Sequence, residues 1–254
     1  MMKYKAYAKV NIFLKITGMR GSYHTLSSRF MRVESLFDLL WFEPKSTPEF
    51  EIRGSFDCEV RSNTIYKAYK HLQALTRSDK LATFFEEYAI CIDKNIPSFA
   101  GLGGGSSDAA TFLRMCNETL DLGLGIDELC EVGSHVGADV PFFIYNYPSA
   151  NVSGIGEIVE PFHEPLIPFE IITPPLQIST PSVYGHYRKH LYDPISDTQA
   201  QALESTPSHE ILRSLPPKEA NDLYSAALGC YSELTEKEGW FFSGSGSSFF
   251  KIKQ

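Results

Sequence analysis

The segment PSFAGLGGGSSDAATFLRMCN, residues 97–117, constrains the fold more than any other part of this sequence. Four glycines and the pair Ser106 and Ser107 lead directly into residues whose apolar members recur with the period of a helix. The first N–H groups of a helix have no helical partner, and the helix dipole places partial positive charge beside them. Because glycines let an anion approach such groups closely, the segment predicts a phosphate-binding loop, with an elaborate helix cap as the alternative.

The two most familiar phosphate-binding loops do not match this segment. A Walker A loop has a lysine before its final serine or threonine, and residues 95–120 contain no lysine. The dinucleotide-binding fingerprint has three spaced glycines, and Gly101, Gly103 and Ser106 stand at those places. A phosphate site here would therefore depend on the helix start itself.

Composition limits the partners that the chain is expected to have. The chain has 254 residues, of which 43% are hydrophobic, and its formal charge is −8 at pH 7. This is a globular composition without the basic surface that recruits nucleic acid or anionic lipid, so neither nucleic acid nor a membrane is an expected partner. The five cysteines are scattered and include no Cys-x-x-Cys pair, which indicates free thiols in a reducing cytoplasm.

Strand and helix patterns occur together along the chain and predict an α+β fold. Strands are predicted over residues 4–18, 29–44, 88–95, 140–147, 170–173 and within 240–253. Helices are predicted after a cap at Ser62 or Asn63 and over residues 106–119, 126–136, 181–190, 208–214 and 221–236. The polar segment 190–210 is predicted to be a surface loop, and a domain boundary is placed near residue 150.

Two charged residues and a second glycine turn are candidates for chemistry. Lys9 lies in the alternating first strand, where a solvent-facing position is the simpler interpretation. Asp139 precedes the apolar residues VPFF and is either a loop cap or a general base held near a cleft. The turn FFSGSGSSFF, residues 241–250, is either a plain hairpin or a loop that closes over a ligand.

Three of these segments together resemble the GHMP kinase superfamily, named for galactokinase, homoserine, mevalonate and phosphomevalonate kinases. They are AYAKVNIFL, PSFAGLGGGSSDAA and SGSGSSFF, in the family's order. The resemblance implies a two-domain α+β fold. A ribosomal S5 domain 2-like N-terminal domain would span residues 1–150, and a ferredoxin-like C-terminal domain residues 151–254.

Further segments are similar to the GHMP kinases of the non-mevalonate isoprenoid pathway, whose acceptor is a cytidine diphosphate ester of methylerythritol. These segments are YHTL at residues 23–26, GADVPFF at 137–143 and STPSVY at 179–184. The resemblance implies a cytoplasmic, ATP-dependent kinase that uses Mg²⁺ and is a monomer or homodimer. It assigns no metal ligand.

The same resemblance implies a role for each matching residue. Asp139 would take or orient the proton of the acceptor hydroxyl, and Lys9 would polarise the oxygen. Residues that would hold ATP are Pro97, Gly101, Leu102, Gly103, Gly104, Gly105, Ser106 and Ser107, with Asn63 and Lys94 on the adenosine side. Residues that would hold the acceptor are Asn11, Tyr23, His24, Thr180, Tyr184, Gly244 and Gly246, with cytosine stacked between the two tyrosines.

Two other functions fit parts of this pattern. A mevalonate or homoserine kinase would share the glycine loop, but a small acid has no base for Tyr23 and Tyr184 to stack on. A non-catalytic nucleotide-binding module would share the fold, but it would have no need for both Lys9 and Asp139.

Overall fold

The computed structural model describes residues 2–253, and within them nine strands and ten α-helices form. The strands are β1 Tyr4–Arg20, β2 Tyr23–Pro44, β3 Ile52–Arg53, β4 Tyr88–Asp93, β5 Ser149–Gly154, β6 Ile158–Pro161, β7 Phe169–Ile172, β8 Phe241–Phe242 and β9 Phe249–Ile252. The helices are α1 Thr64–Thr76, α2 Asp79–Glu87, α3 Gly104–Thr119, α4 Ile126–Val136, α5 Val140–Tyr145, α6 Thr180–His190, α7 Asp197–Ser205, α8 Ser208–Ser214, α9 Pro217–Ala220 and α10 Asp222–Cys230. The α+β prediction is confirmed.

The chain forms two compact units, each built from separate segments. The first unit comprises residues up to Ala8, Leu36–Ile96 and Gly104–Asn146, and the second comprises Lys9–Ser35, Pro97–Gly103 and the chain from Tyr147 onward. β1 and β2 contribute residues to both units. The two predicted domains, 1–150 and 151–254, stay a prediction.

The first unit contains sheet strands and a group of mutually packed helices. The second half of β2 pairs antiparallel with β4, from Leu39 opposite Asp93 to Pro44 opposite Tyr88, and β3 pairs parallel with β4. Helices α1, α3, α4 and α5 pack against one another. Aromatic rings fill part of this core, where Phe50 stacks on Tyr69 at 4.1 Å between ring centroids.

In the second unit, the first half of β2 pairs with β5, and β5 pairs with β6, both antiparallel. A separate three-stranded sheet has the order β7-β9-β8. Helix α10 packs on α6, and Tyr224 of α10 stacks on Phe242 of β8 at 4.8 Å. Among the described residues, no helix has the length and apolar composition needed to cross a membrane.

The predicted strand over residues 140–147 is wrong, because Val140–Tyr145 forms α5. A short apolar run does not distinguish a buried strand from a buried helix turn. Pro141 lies in the first turn, where its missing N–H costs nothing, and Asn146 adopts a left-handed conformation that ends the helix.

Three further predictions need correction. The segment 190–210 is not all loop, because α7 forms within it, with Ser196 and Gln199 as a reciprocal capping box. The helix predicted over 221–236 ends at Cys230, and α3 begins at Gly104 rather than at residue 106. The helix α2 and the hairpin of β5 and β6 were not expected from the sequence.

Candidate active site

The glycine loop contains two residues whose backbone favours glycine. Gly101 and Gly103 both have φ of +73°, which L-residues with side chains rarely adopt. Gly104 and Gly105 already belong to α3, and Gly104 is not among the glycines with positive φ. The first N–H groups of α3 therefore follow directly on a turn in which two of the last three residues are glycines.

The C-terminal glycine turn lies against this loop within the second unit. Ser243 donates a hydrogen bond from Oγ to Gly101 O at 2.9 Å, and Ser248 N donates to Ala100 O at 3.1 Å. A Cβ atom at Gly101 would lie only 2.0 Å from Ser243 O. The turn is thus not a plain exposed hairpin, since its backbone holds the first glycine of the loop.

Lys9 is buried, so the solvent-facing interpretation of this residue is wrong. Its side chain is 3% exposed, and Nζ donates to Asn11 Oδ1 at 2.7 Å and to Gly101 O at 3.1 Å. Asn11 in turn donates from Nδ2 to Ser28 Oγ at 3.0 Å. The hydrogen-bonded series fixes the ammonium group beside the glycine loop, where it adds positive charge.

Asn221 is a buried residue that sequence reasoning missed. Its Nδ2 donates to Phe242 O and to Gly244 O, both at 2.9 Å, while its Oδ1 accepts from Leu223 N at the start of α10. An asparagine before a helix is an ordinary cap signal. The sequence gives no sign that this cap also holds the glycine turn.

His24 and Tyr184 lie together in the second unit. The ring centroids are 5.2 Å apart, and Tyr187 and Tyr192 lie 5.9 and 6.2 Å from His24. Burial lowers the pKa of His24, as does the nearby Arg188, so the imidazole is neutral near pH 7. His24 Nε2 is buried without a hydrogen-bond partner in the described chain.

The other predicted acceptor residues are also in the second unit. Tyr23 is 65% exposed, and the ring that faces Tyr184 is that of His24. Thr180 Oγ1 shares a 2.7 Å hydrogen bond with Ser245 Oγ, which joins the start of α6 to the glycine turn. Gly246 has φ of +95°, and a Cβ there would lie 2.2 Å from Phe242 Cζ.

Predicted nucleotide residues meet at the starts of α1 and α3 in the first unit. Asn63 caps α1 by accepting from Ile65 N at 2.9 Å, as predicted. Thr64 Oγ1 donates to Gly105 O at 2.6 Å and so connects the two helix starts. Serines 106 and 107 lie in the first turn of α3, and Ser107 is buried.

Lys94 lies between two carboxylates rather than on an open surface. Its Nζ donates to Asp38 Oδ2 at 2.5 Å and to Asp108 Oδ2 at 2.7 Å. Burial raises the pKa of Asp108 to about 7, while the attraction of Lys94 opposes that shift. The two carboxylates in turn raise the pKa of Lys94 against its own desolvation, so its ammonium stays charged. Sequence reasoning did not single out Asp38, since a lone acid in a strand usually faces solvent.

Asp139 precedes α5 and is half-buried in the first unit. Its side chain accepts no capping hydrogen bond from the start of α5, so Asp139 is not a side-chain cap of this helix. A carboxylate in this position is able to accept a proton. No group of three or more His, Cys, Asp or Glu side chains in residues 2–253 is arranged to hold a metal ion.

Comparison with known proteins gives consistent similarities. Residues 63–147 match the family model for the GHMP kinases N terminal domain. The chain is 56% identical to the 4-diphosphocytidyl-2-C-methyl-D-erythritol kinase of Sulfurimonas denitrificans, over 100% of this chain and 98% of the relative. A crystal structure of 4-(cytidine 5'-diphospho)-2C-methyl-D-erythritol kinase matches with a TM-score of 0.76 and 30% identity, over 99% of this chain and 90% of that one.

A more distant likeness concerns the fold alone. The mevalonate kinase of Methanococcus jannaschii matches with a TM-score of 0.63 over 100% of this chain and 90% of that one, at 12% identity. At that identity the two chains share an architecture, and the acceptor of one says nothing about the acceptor of the other.

Proposed function

Because the chain belongs to the 4-diphosphocytidyl-2-C-methyl-D-erythritol kinases of the GHMP kinase family, we propose that it transfers the γ-phosphoryl group of ATP to the 2-hydroxyl of 4-diphosphocytidyl-2-C-methyl-D-erythritol. The protein is a kinase and uses ATP. The reaction would serve the non-mevalonate isoprenoid pathway. It would take place in the cytoplasm, with the enzyme as a monomer or homodimer.

The observation that carries this proposal is the buried ammonium group of Lys9, which donates to Gly101 O of the glycine loop. In phosphoryl transfer the protein mainly positions the groups and neutralises charge. Lys9 would polarise the acceptor oxygen, and Asp139 would accept or orient its proton. The N–H groups at the start of α3 would bind the ATP phosphates.

Mg²⁺ fits this arrangement as an ion carried mainly by the nucleotide. The ion usually keeps water and phosphate ligands and needs few protein ligands, and the described residues contain no ready-made metal cluster. The hydroxyl oxygens of Ser106 and Ser107, in the first turn of α3, would complete its shell. The bound ion would offset negative charge on the phosphates.

The cytidine end of the acceptor would be held by aromatic faces in the second unit. Cytosine would stack between Tyr184 and the exposed ring of Tyr23. Neutral His24, which lies beside Tyr184, would bond the polar edge of the base through Nε2, an atom without a hydrogen-bond partner among residues 2–253. This part of the proposal separates the cytidine acceptor from mevalonate and homoserine.

Substitution of Tyr184 tests the proposed cytidine site. Stacking on an aromatic ring contributes about 1–3 kcal/mol per base, so Tyr184→Ala should weaken acceptor binding by about 5- to 150-fold. Tyr184→Phe keeps the aromatic face and should change the affinity little. Acceptor titration of both variants measures this, and ATP affinity should be unaltered. Wild-type acceptor affinity in Tyr184→Ala would contradict the proposed site.

A further inference from the structure

Asp38 forms the centre of a buried charged cluster at the end of β4. The carboxylate is 0% exposed, and its Oδ2 accepts from Lys94 Nζ at 2.5 Å. Its Oδ1 accepts from two backbone groups, Asn95 N at 2.5 Å and Ile96 N at 2.8 Å. One side chain of β2 therefore holds three consecutive residues of the chain that leaves β4.

Two of those residues, Lys94 and Ile96, lie against the start of α3. A Cβ atom at Gly104 would lie 2.8 Å from Ile96 Cγ2 and 3.5 Å from Lys94 Nζ. Lys94 also donates to Asp108 Oδ2 at 2.7 Å, which ties the ammonium group to the first turns of the same helix. Gly104 therefore lies directly against Ile96, with the Lys94 ammonium group close by.

We propose that Asp38 is a positioning residue for nucleotide binding, acting through Lys94 and Ile96 on the start of α3. The inference rests on the proposed function, in which that helix start binds ATP phosphates. Asp38 would not contact the nucleotide itself.

Stability alone explains this cluster poorly. Removing two carboxylates and an ammonium group from water is costly, and apolar side chains of similar size often stabilise a core as well or better. Asp108 Oδ1 is buried without a hydrogen-bond partner among residues 2–253, which adds to that cost. A buried ionic cluster does, however, fix geometry, since each charged hydrogen bond specifies a direction as well as a distance.

Two substitutions of Asp38 distinguish its contact with Lys94 from its contacts with the backbone N–H groups of Asn95 and Ile96. Asp38→Asn keeps an oxygen able to accept from Asn95 N and Ile96 N, but it places an amide N–H₂ group against the Lys94 ammonium. Asp38→Ala removes both sets of contacts. For Asp38→Asn we expect the Kd of a non-hydrolysable ATP analogue to rise about 10-fold, the size of one lost charged hydrogen bond. Asp38→Ala should raise it further.

The pattern across ligands distinguishes positioning from a general structural role. In Asp38→Asn, affinity for the cytidine acceptor and kcat at saturating ATP should stay within about 3-fold of wild type, because only nucleotide binding uses this helix start. The double variant Asp38→Asn/Lys94→Met should bind the ATP analogue about as weakly as the weaker single variant, since both act through one contact. Calorimetry and steady-state kinetics provide these values.

Glu164→Gln is the matched control, because Glu164 is another buried carboxylate that bonds to a cation, Arg29, and to a backbone group, Ser208 N, in the second unit. This variant should bind the ATP analogue normally. Normal affinity for the ATP analogue in Asp38→Asn would overturn the proposal. So would an equal loss of affinity for the ATP analogue and the cytidine acceptor together with a lowered Tm. Should Asp38→Asn fail to fold, normal ATP affinity in Lys94→Met would overturn it. A wild-type protein that binds no ATP would instead contradict the proposed function.

Discussion

Asp139 immediately precedes α5, and its half-buried carboxylate is the proposed base of the reaction. Asp139→Asn keeps the size of the side chain and removes its ability to take a proton. We expect turnover to fall by about two to four orders of magnitude, the usual effect of losing a positioned base, while both ligands still bind. Steady-state kinetics on folded protein measures this, with Asp127→Asn, an exposed acid in the first turn of α4, as the control. Near-normal turnover in Asp139→Asn would refute the assignment.

Phe99 is an aromatic residue held in an unfavourable backbone conformation within the glycine loop. It has φ of +54° and is 54% exposed. A positive φ costs a residue with a side chain about 1–2 kcal/mol, whereas glycine adopts it freely but gains entropy in the unfolded chain. Phe99→Gly should therefore increase the free energy of unfolding by about 1 kcal/mol or less in denaturant titrations. Phe99→Ala, which keeps Cβ, should show no such gain, and equal values for both variants would contradict the argument.

For single residues, the sequence predicted local roles such as helix caps better than it predicted burial or distant hydrogen-bond partners. The cap at Asn63 follows from local chemistry and is confirmed. The burial of Lys9 was not predictable from strand alternation, because its partner Gly101 lies far away in the sequence. The burial of Asp38 was unpredictable for the same reason, because its partners Asn95 and Ile96 lie more than 50 residues later, just after β4. The roles assigned to the site residues stay predictions.

Gly104 is the first residue of α3, the helix whose first N–H groups are proposed to bind the ATP phosphates. A side chain at this position would press on Ile96 and Lys94, because even Cβ would lie 2.8 Å from Ile96 Cγ2. Gly104→Val should therefore shift the start of α3 and lower affinity for an ATP analogue by more than about 10-fold, with acceptor affinity little changed. Gly125→Ala, where a Cβ has its nearest neighbour 3.6 Å away, should leave both affinities unaltered. Unchanged ATP affinity in Gly104→Val would contradict phosphate binding and would favour the interpretation of the loop as a helix cap.

Periodicity and capping predicted the longer elements and failed for the short ones. Helices α3 and α4 carry apolar residues at helical spacing over three or more turns, and both are confirmed. The six residues of α5 are too few to show a helical period of apolar residues, and their pattern is equally compatible with a strand. Helix α7 lies in a polar segment, so only its capping box at Ser196 could have predicted it.

For the molecule as a whole, the fold class was predictable because the three GHMP motifs are typical of that fold. The contacts between segments distant in the sequence were not predictable. The turn at residues 243–248 lies against residues 100–101, which are more than 140 positions earlier in the chain. No local pattern in either segment specifies the other as its partner. The resemblance predicted that both belong to one site, and the hydrogen bonds of the second unit supply the physical contact.

The identity of the acceptor is the central claim, and a kinase assay with three acceptors tests it most directly. Purified protein, ATP and Mg²⁺ would be incubated with 4-diphosphocytidyl-2-C-methyl-D-erythritol, mevalonate or homoserine, and ³¹P NMR would locate the new phosphate. We predict turnover of the cytidine diphosphate acceptor alone, with the phosphate on its 2-hydroxyl. Faster turnover of mevalonate or homoserine, or ATP binding without phosphorylation of any acceptor, would contradict the account.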